Sequence, residues 1–233
     1  MKLSAGVRKL FIGLLSFMLT FSGVIISPVQ ADVPAPGNGF YFCTTGEVNS
    51  QGYNGDQTSY EIVDGVVFGN DCYGAVVIAD GVTSIDEAAF SGSVLTSITF
   101  PASVTTIGIE AFAQVTQLQT VSFAQGSQLT TIGNYAFDGA VSLTSITIPA
   151  GVTTIGDGAF YDSDQLTSIN IPASVSTIGF GAFFGADLLT SITVDPSNTA
   201  FTSIDGVLFN EETTTLIYYP WARSEATYSI PTG

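Results

Sequence analysis

Leu143-Thr-Ser-Ile-Thr-Ile-Pro149, followed by Val152-Thr-Thr-Ile-Gly156 and then Gly158-Ala-Phe160, is one unit of a pattern that fills the middle of the chain. Its first half recurs as Leu95-Thr-Ser-Ile-Thr-Phe-Pro101, Leu118-Gln-Thr-Val-Ser-Phe-Ala124, Leu166-Thr-Ser-Ile-Asn-Ile-Pro172 and Leu189-Thr-Ser-Ile-Thr-Val-Asp195. The leading leucines stand 23, 25, 23 and 23 residues apart. A fixed period of this length marks a solenoid, whose units stack on their neighbours and cannot fold singly.

The second half is as regular. Val104-Thr-Thr-Ile-Gly108 runs to Ala111-Phe112, Leu129 to Gly133 leads to Ala136-Phe137, and Val175 to Gly179 leads to Ala182-Phe183. A more diverged unit places Val76, Ile78, Val82, Ile85 and Ala89-Phe90 in the same frame. Five full units therefore run from Tyr73 to Leu188, and a sixth opens at Leu189. Period-2 spacing turns Ile98 and Phe100 to one face of a short strand and Ser97 and Thr99 to the other. Gly108 and its equivalents suit a tight bend into about one helical turn, with the phenylalanine filling the coil interior. Each rung offers roughly seven apolar side chains at about 2 kcal/mol each, against about 1.5 kcal/mol of ordering entropy per residue. A lone rung loses that contest, so stability rests on stacking and the ends need caps. The fold class is a β-rich repeat solenoid of short parallel strands and brief helical turns.

These strings resemble the BspA-like leucine-rich repeats of bacterial surface proteins, and the resemblance runs from about Tyr73 to Pro231. It implies a leucine-rich-repeat solenoid and a cell-surface binding role. Val194-Asp-Pro-Ser-Asn198, Ser203-Ile-Asp-Gly-Val-Leu-Phe209 and Leu216-Ile-Tyr-Tyr-Pro220 are similar to an irregular insert found between repeats of that family. One departure is visible. The family commonly has cysteine three residues after the phenylalanine of Ala-Phe, where this chain has Ser93, Val115, Ala140, Ser163 and Ala186.

Outside the repeats, Lys2, Arg8 and Lys9 flank an apolar run from Leu10 that ends in Val29-Gln30-Ala31. This reads as a secretory signal over residues 1–31, with an uncleaved membrane anchor as the alternative. Cleavage there would make the protein secreted or cell-surface and leave no membrane span. Cys43 and Cys72 are the only cysteines. In an exported chain such a pair argues for a disulfide, and closing a loop of about 30 residues contributes roughly 3–4 kcal/mol. Residues 32–72 then form an amino-terminal cap, with a hairpin expected at Ile62-Val63-Asp64-Gly65-Val66-Val67. Repeats occupy 73–210. Residues 211–233 hold the end of the insert and, from Tyr228, the opening of a further incomplete repeat, read as a truncation or an uncapped last rung.

Charge and residue inventory bound the chemistry. Three of the four bases lie in the leader, which leaves Arg223 against all 20 carboxylates, a formal charge of −19. Such a surface disfavours nucleic acid and anionic lipid. Asp162-Ser163-Asp164, near Asp157, is the densest acidic patch of the repeats, but it lacks calcium-loop spacing and reads as hydrated loop. The chain has no histidine, and no lysine remains after the leader. The usual general base, zinc ligand and Schiff-base nucleophile are missing, and no enzyme, cofactor or metal site is expected. Trp221, the sole tryptophan, is expected to pack or cap within the insert.

The candidate binding face is the outer row of the first strands: Ser97, Thr99, Thr120, Ser122, Ser145, Thr147, Ser168, Asn170, Ser191 and Thr193. Stacked strands would set these pairs about 5 Å apart. The array offers an uncharged, hydroxyl-rich platform for an extracellular protein or glycan. Two alternatives use the same chain differently: an ice-binding lattice, which Asn170 and the serines interrupt, and a glycan hydrolase built on paired carboxylates. Nothing in the repeat fixes an oligomeric state.

Overall fold

The computed structural model describes residues 38–42, 59–70, 72–225 and 227–231. The chain divides into two compact units, 1–32 and 33–233, and all described residues belong to the second. The expected leader, 1–31, and Cys43 lie outside them.

An antiparallel ribbon of β1 (Gly39–Phe42), β2 (Ser59–Val63) and β3 (Val66–Asn70) opens the described structure. The β2–β3 turn is the expected Asp-Gly hairpin, with Asp64 at φ 50° and Gly65 at φ 80°. First-arm and second-arm strands then follow in chain order: β4 (Tyr73–Val77), β5 (Ser84–Ile85), β6 (Val94–Phe100), β7 (Thr106–Ile107), β8 (Thr120–Phe123), β9 (Thr131–Ile132), β10 (Thr154–Ile155), β11 (Ser168–Ile171), β12 (Thr177–Ile178) and β13 (Ser191–Val194). The insert supplies β14 (Phe201–Ile204), β15 (Val207–Asn210) and β16 (Leu216–Tyr218), an antiparallel three-stranded sheet.

Second-arm strands form one unbroken parallel ladder, β5-β7-β9-β10-β12, and β3 pairs with β5 at its first edge. Each contributes only two residues, such as Thr131 and Ile132 paired with Thr154 and Ile155. The isoleucine points inward: Ile85, Ile107, Ile132 and Ile155 have no exposed surface. First-arm strands split into two groups, β4-β6-β8 and β11-β13. Residues 143–148 between them form no strand.

The expected helical turn does not occur: no residue described is helical. An α-helix needs successive N–H groups to reach back four residues, and here they alternate between two other partners. The Ala113 N–H closes a turn onto the Glu110 carbonyl at 2.9 Å, whereas the Phe112 N–H crosses to the Ala136 carbonyl of the next rung at 2.8 Å. Phe137 and Phe160 repeat that crossing, to Ala159 and Ala182, both at 2.8 Å. Two residues per rung sit at positive φ to make the zigzag, as Glu110 and Gln114, Tyr135 and Gly139, and Asp162 after Gly158 show. The third arm is thus a chain of turns bonded laterally, which adds a third bonded side to the stack.

Gly108, Gly133, Gly156 and Gly179 are required by a different constraint from the expected bend. A Cβ on Gly133 would lie 2.7 Å from the carbonyl carbon of Gly108, and one on Gly108 would lie 2.7 Å from the Ile85 oxygen. The rungs touch backbone to backbone at this corner, and only hydrogen fits. Asp86 takes the position in the first rung, where its N–H bonds to Val67 of β3.

The coil interior is a stack of rings. Phe90, Phe112, Phe137, Phe160 and Phe183 lie 5.1, 5.3, 5.5 and 6.0 Å apart, with ring planes within 9° of parallel. Tyr218 of the insert closes the column edge-on at 5.9 Å from Phe183. Val115, Ala140, Ser163 and Ala186, at the family's cysteine position, are fully buried. Ser163 donates its hydroxyl to the Phe137 carbonyl at 3.3 Å, so the polar atom is not orphaned.

Candidate functional site

All ten residues of the expected face reach solvent. Thr120, Ser145, Thr147, Ser168, Asn170 and Thr193 are exposed, and Ser97, Thr99, Ser122 and Ser191 are half-buried. Inward neighbours hold the strand in place: Ile98 and Phe100 have no exposed surface, nor do Ile171 and Ile192. Register aligns Ser97 with Thr120 and Thr99 with Ser122. It likewise aligns Ser168 with Ser191 and Asn170 with Thr193. Ser145 and Thr147 stand between these blocks off any ladder, so the expected continuous row is two patches with a break.

Hydroxyls leading into the strands and hydroxyls on the strand faces are used differently. On the first arm, Thr167 donates to the Thr144 carbonyl at 3.4 Å and Thr190 to the Thr167 carbonyl at 3.0 Å. On the second arm, Thr105 donates to the Thr83 carbonyl at 3.0 Å, Thr130 to Thr105 at 3.0 Å and Thr153 to Thr130 at 3.2 Å. Those side chains stitch each rung to the one before. Of the ten first-arm residues, only Thr193 donates a side-chain bond among the described residues, to Asn170 Oδ1 at 3.0 Å. The other outward hydroxyls keep their hydrogen-bonding capacity for something outside the chain.

The break has a local cause. Five residues, Ala124 to Gln128, separate Phe123 from Leu129, where three separate Phe100 from Val104. These two extra residues account for the 25-residue spacing. Where Ala124 and Asp195 donate N–H bonds to Phe100 and Ile171 of the preceding rungs, both at 2.9 Å, Pro149 and Pro172 have no N–H to give. No backbone bond joins 120–123 to 144–148 among the described residues, and one, Thr167 N–H to the Thr144 carbonyl at 3.2 Å, ties 144–148 to the rung after it. Two clefts mark the ends of this seam. One of about 480 Å³ lies between Val121, Phe123, Thr147 and Pro149, and one of about 680 Å³ between Gln119, Thr120, Ser142 and Asp164.

A second surface was not anticipated. Phe180, Phe184, Leu188, Leu216, Ile217 and Trp221 are all exposed, Phe180 at 93% and Trp221 at 66%. The expectation that Trp221 packs within the insert is therefore corrected; Arg223 packs instead, between the Tyr219 and Tyr228 rings at 5.6 and 5.4 Å, with an ion pair to Glu225 at 3.2 Å. The sequence signal lay in Gly179-Phe-Gly181, which carries a ring where the two preceding rungs have Asn134 and Asp157, and in Phe184, which stacks on Tyr161 of the preceding rung at 5.4 Å.

Acidic side chains line the turn arm. Asp162 has its carboxyl raised above the usual range, first by desolvation and then by Asp164, Asp138 and Asp187. Among the described residues no group of three or more His, Cys, Asp or Glu side chains is placed to hold a metal. No helix described is long and apolar enough to cross a membrane.

This chain belongs to the leucine-rich repeat family of the BspA type: the model for the BspA type leucine rich repeat region matches residues 83–216 in 6 copies. Its fold is similar to that of a leucine-rich repeat protein from Eubacterium ventriosum, at 26% identity and a TM-score of 0.58, over 75% of this chain and 51% of that one. The chain thus spans about half the length of that relative. It is also similar to the T. pallidum leucine rich repeat protein, at 31% identity and a TM-score of 0.53, over 58% of this chain and 67% of that one. Pneumococcal vaccine antigen PcpA shares the fold at 22% identity and a TM-score of 0.54, over 75% of this chain and 57% of that one. No curated protein sequence matches the chain.

Proposed function

We propose that this is an exported, non-catalytic interaction module that binds an extracellular protein or glycan through the hydroxyl face of its first-arm strands, in the manner of an adhesin. The observation that carries this reading is the unequal use of hydroxyls. Threonines leading into the strands are consumed in rung-to-rung bonds on both arms, as Thr105, Thr130, Thr153 and Thr190 show, whereas the ten outward strand-face residues of the first arm, Thr193 apart, donate no side-chain bond within the described residues. Many weak bonds from a preformed, uncharged array suit a broad partner surface and cost little ordering entropy. An ice-binding lattice is the weaker alternative, because the row is broken at 143–148.

Export and a Cys43–Cys72 disulfide are part of the same proposal. Cys72 is buried at 2% exposure beside the first rung, where a covalent tie would fasten residues 32–72 as a cap. Amino-terminal sequencing of protein from the culture medium should begin at Asp32, and thiol alkylation without reductant should label neither cysteine.

The binding test compares purified protein with a variant carrying Thr99→Lys, Thr120→Lys, Thr147→Lys and Thr193→Lys on a panel of extracellular proteins and polysaccharides. Binding lost by the folded variant supports the strand face, and binding that survives all four lysines removes it.

A further inference from the structure

The turn arm changes character along the stack. The position after the corner glycine reads Ile109, Asn134, Asp157 and Phe180, and the residue after each core phenylalanine reads Ala113, Asp138, Tyr161 and Phe184. Ile109, Asn134, Asp157, Asp138 and Tyr161 all reach solvent although a further rung is stacked on each. These rows therefore open on the side of the coil rather than at its end, and Phe180 and Phe184 continue them. Tyr161 stacks on Phe184 at 5.4 Å, and the exposed ring of Tyr135 lies across Gly158, in the space a Cβ would need. Grouped exposed rings of this kind mark an interaction surface.

Carboxylates are interleaved with the rings. Asp157 Oδ1 accepts the Phe180 N–H at 2.7 Å, and the Asp157 N–H is itself held by Asn134 Oδ1 at 2.9 Å. The carboxylate is thus fixed beside Phe180, and its Oδ2 has no hydrogen-bond partner among the described residues. Asp162 sits beside Phe184, with its N–H bonded to the Phe184 carbonyl at 2.8 Å. Desolvation, then Asp164, Asp138 and Asp187, raise its carboxyl, so four acids crowd this face. Among the described residues the only base is Arg223, and it is occupied by Glu225 and the Tyr219 and Tyr228 rings. We infer that the side of the turn arm over 157–162 and 180–187 is a second docking surface, for an arginine-bearing segment of a partner protein. Rings alone would suit an apolar or sugar partner, and acids alone would be a solvated face. Their alternation selects a planar cation, because a guanidinium lies flat on a ring while its edge donates to a carboxylate. This surface is independent of the strand face, which is uncharged and lies on another arm.

The probe is an end-blocked peptide of alternating arginine and serine, with controls in which citrulline or lysine replaces every arginine. Added to purified protein at physiological salt, the arginine probe should shift the amide resonances of 157–162 and 180–187. The citrulline control, neutral but of the same shape, should bind at least about tenfold more weakly, and the lysine control at least about twofold. Phe180→Ser with Phe184→Ser leaves the charge unchanged and should weaken the arginine probe at least about threefold. Asp157→Asn with Asp162→Asn should weaken it by at least about as much. The four-lysine variant of the strand face should bind the probe within about twofold of the parent, because its charges are screened from the turn arm. Equal binding of the arginine probe and either control, unchanged binding by either folded double variant, loss of the probe by the four-lysine variant, amide shifts confined to other faces, or no binding at millimolar probe each overturns the assignment. So does a neutral oligosaccharide held through Phe180 in place of the arginine probe, which would make the face a glycan surface. If the double ring variant does not fold, Phe180→Ser alone decides, because that ring is almost wholly exposed. Should the four-lysine variant lose its natural partner while the arginine probe never engages the turn arm, the strand-face reading stands and this one falls.

Discussion

Asn198 and Pro172 are joined across the boundary between the insert and the repeats: Asn198 Nδ2 donates to the Pro172 carbonyl at 2.7 Å, and also to Val175 at 2.9 Å. The same side chain accepts the N–H groups of Ala200 and Phe201 through Oδ1, both at 2.8 Å. One buried amide therefore satisfies four backbone groups at the point where the rung pattern gives way to an antiparallel sheet. Asn198→Ala leaves those groups buried without partners, and urea unfolding should show a loss of about 2–3 kcal/mol. Asn198→Asp keeps the Oδ1 contacts, loses the two donors and buries a charge, so it should fare no better.

Gly133→Ala should destabilise by about 1–3 kcal/mol, because the new methyl must push two rungs apart at their closest backbone contact. Gly126→Ala makes a useful contrast: its methyl meets nothing within 4 Å, but Gly126 has φ 76°, so its smaller cost is conformational strain alone. Thermal melts followed by circular dichroism would rank the two.

Phe137→Ala opens the middle of the ring column and should cost about 3–5 kcal/mol. Phe180→Ala removes a ring that is 93% exposed, and should change stability by less than about 0.5 kcal/mol. Parallel melts of the two variants separate core from surface phenylalanines within one solenoid.

Asp162 gives the fold a pH dependence of definite sign. Its carboxyl is raised in the folded protein, so the folded state takes up the proton first as pH falls. Stability from this group is gained as pH drops through the raised value, is complete below the ordinary carboxylate pKa, and is lost again on returning to neutrality. Asp162→Asn should raise the melting temperature at pH 7 and flatten its rise between pH 7 and pH 4. The carboxyl is well exposed and screened, so the change is small and shrinks further in salt.

The rungs, their inward Leu, Ile and Phe columns and the outward Ser/Thr rows were legible because each is a periodic pattern, and periodicity survives translation into space. Lateral bonding was not. Glycine followed three residues later by Ala-Phe reads equally as a helical turn, and only the crossing of the Phe112 N–H to Ala136 shows that the backbone looks to the next rung instead. Gly133 was expected at a bend, but the contact with Gly108 lies about 25 residues away in sequence and leaves no local signature. The seam was written in the 25-residue spacing and in Pro149 and Pro172; its effect appears only once the neighbouring carbonyls are in place. Asn198 belongs to no repeat, so no pattern singled it out.

The most direct measurement of where this protein binds is hydrogen exchange read by mass spectrometry, on the protein alone and saturated with a partner found in the binding screen. Slowed exchange over 94–100, 120–123, 168–171 and 191–194, with little change elsewhere, is the expected result. Protection confined to the turn arm at 179–186 or to the insert at 201–218 would contradict it and move the binding surface to the exposed rings of Phe180 and Phe184.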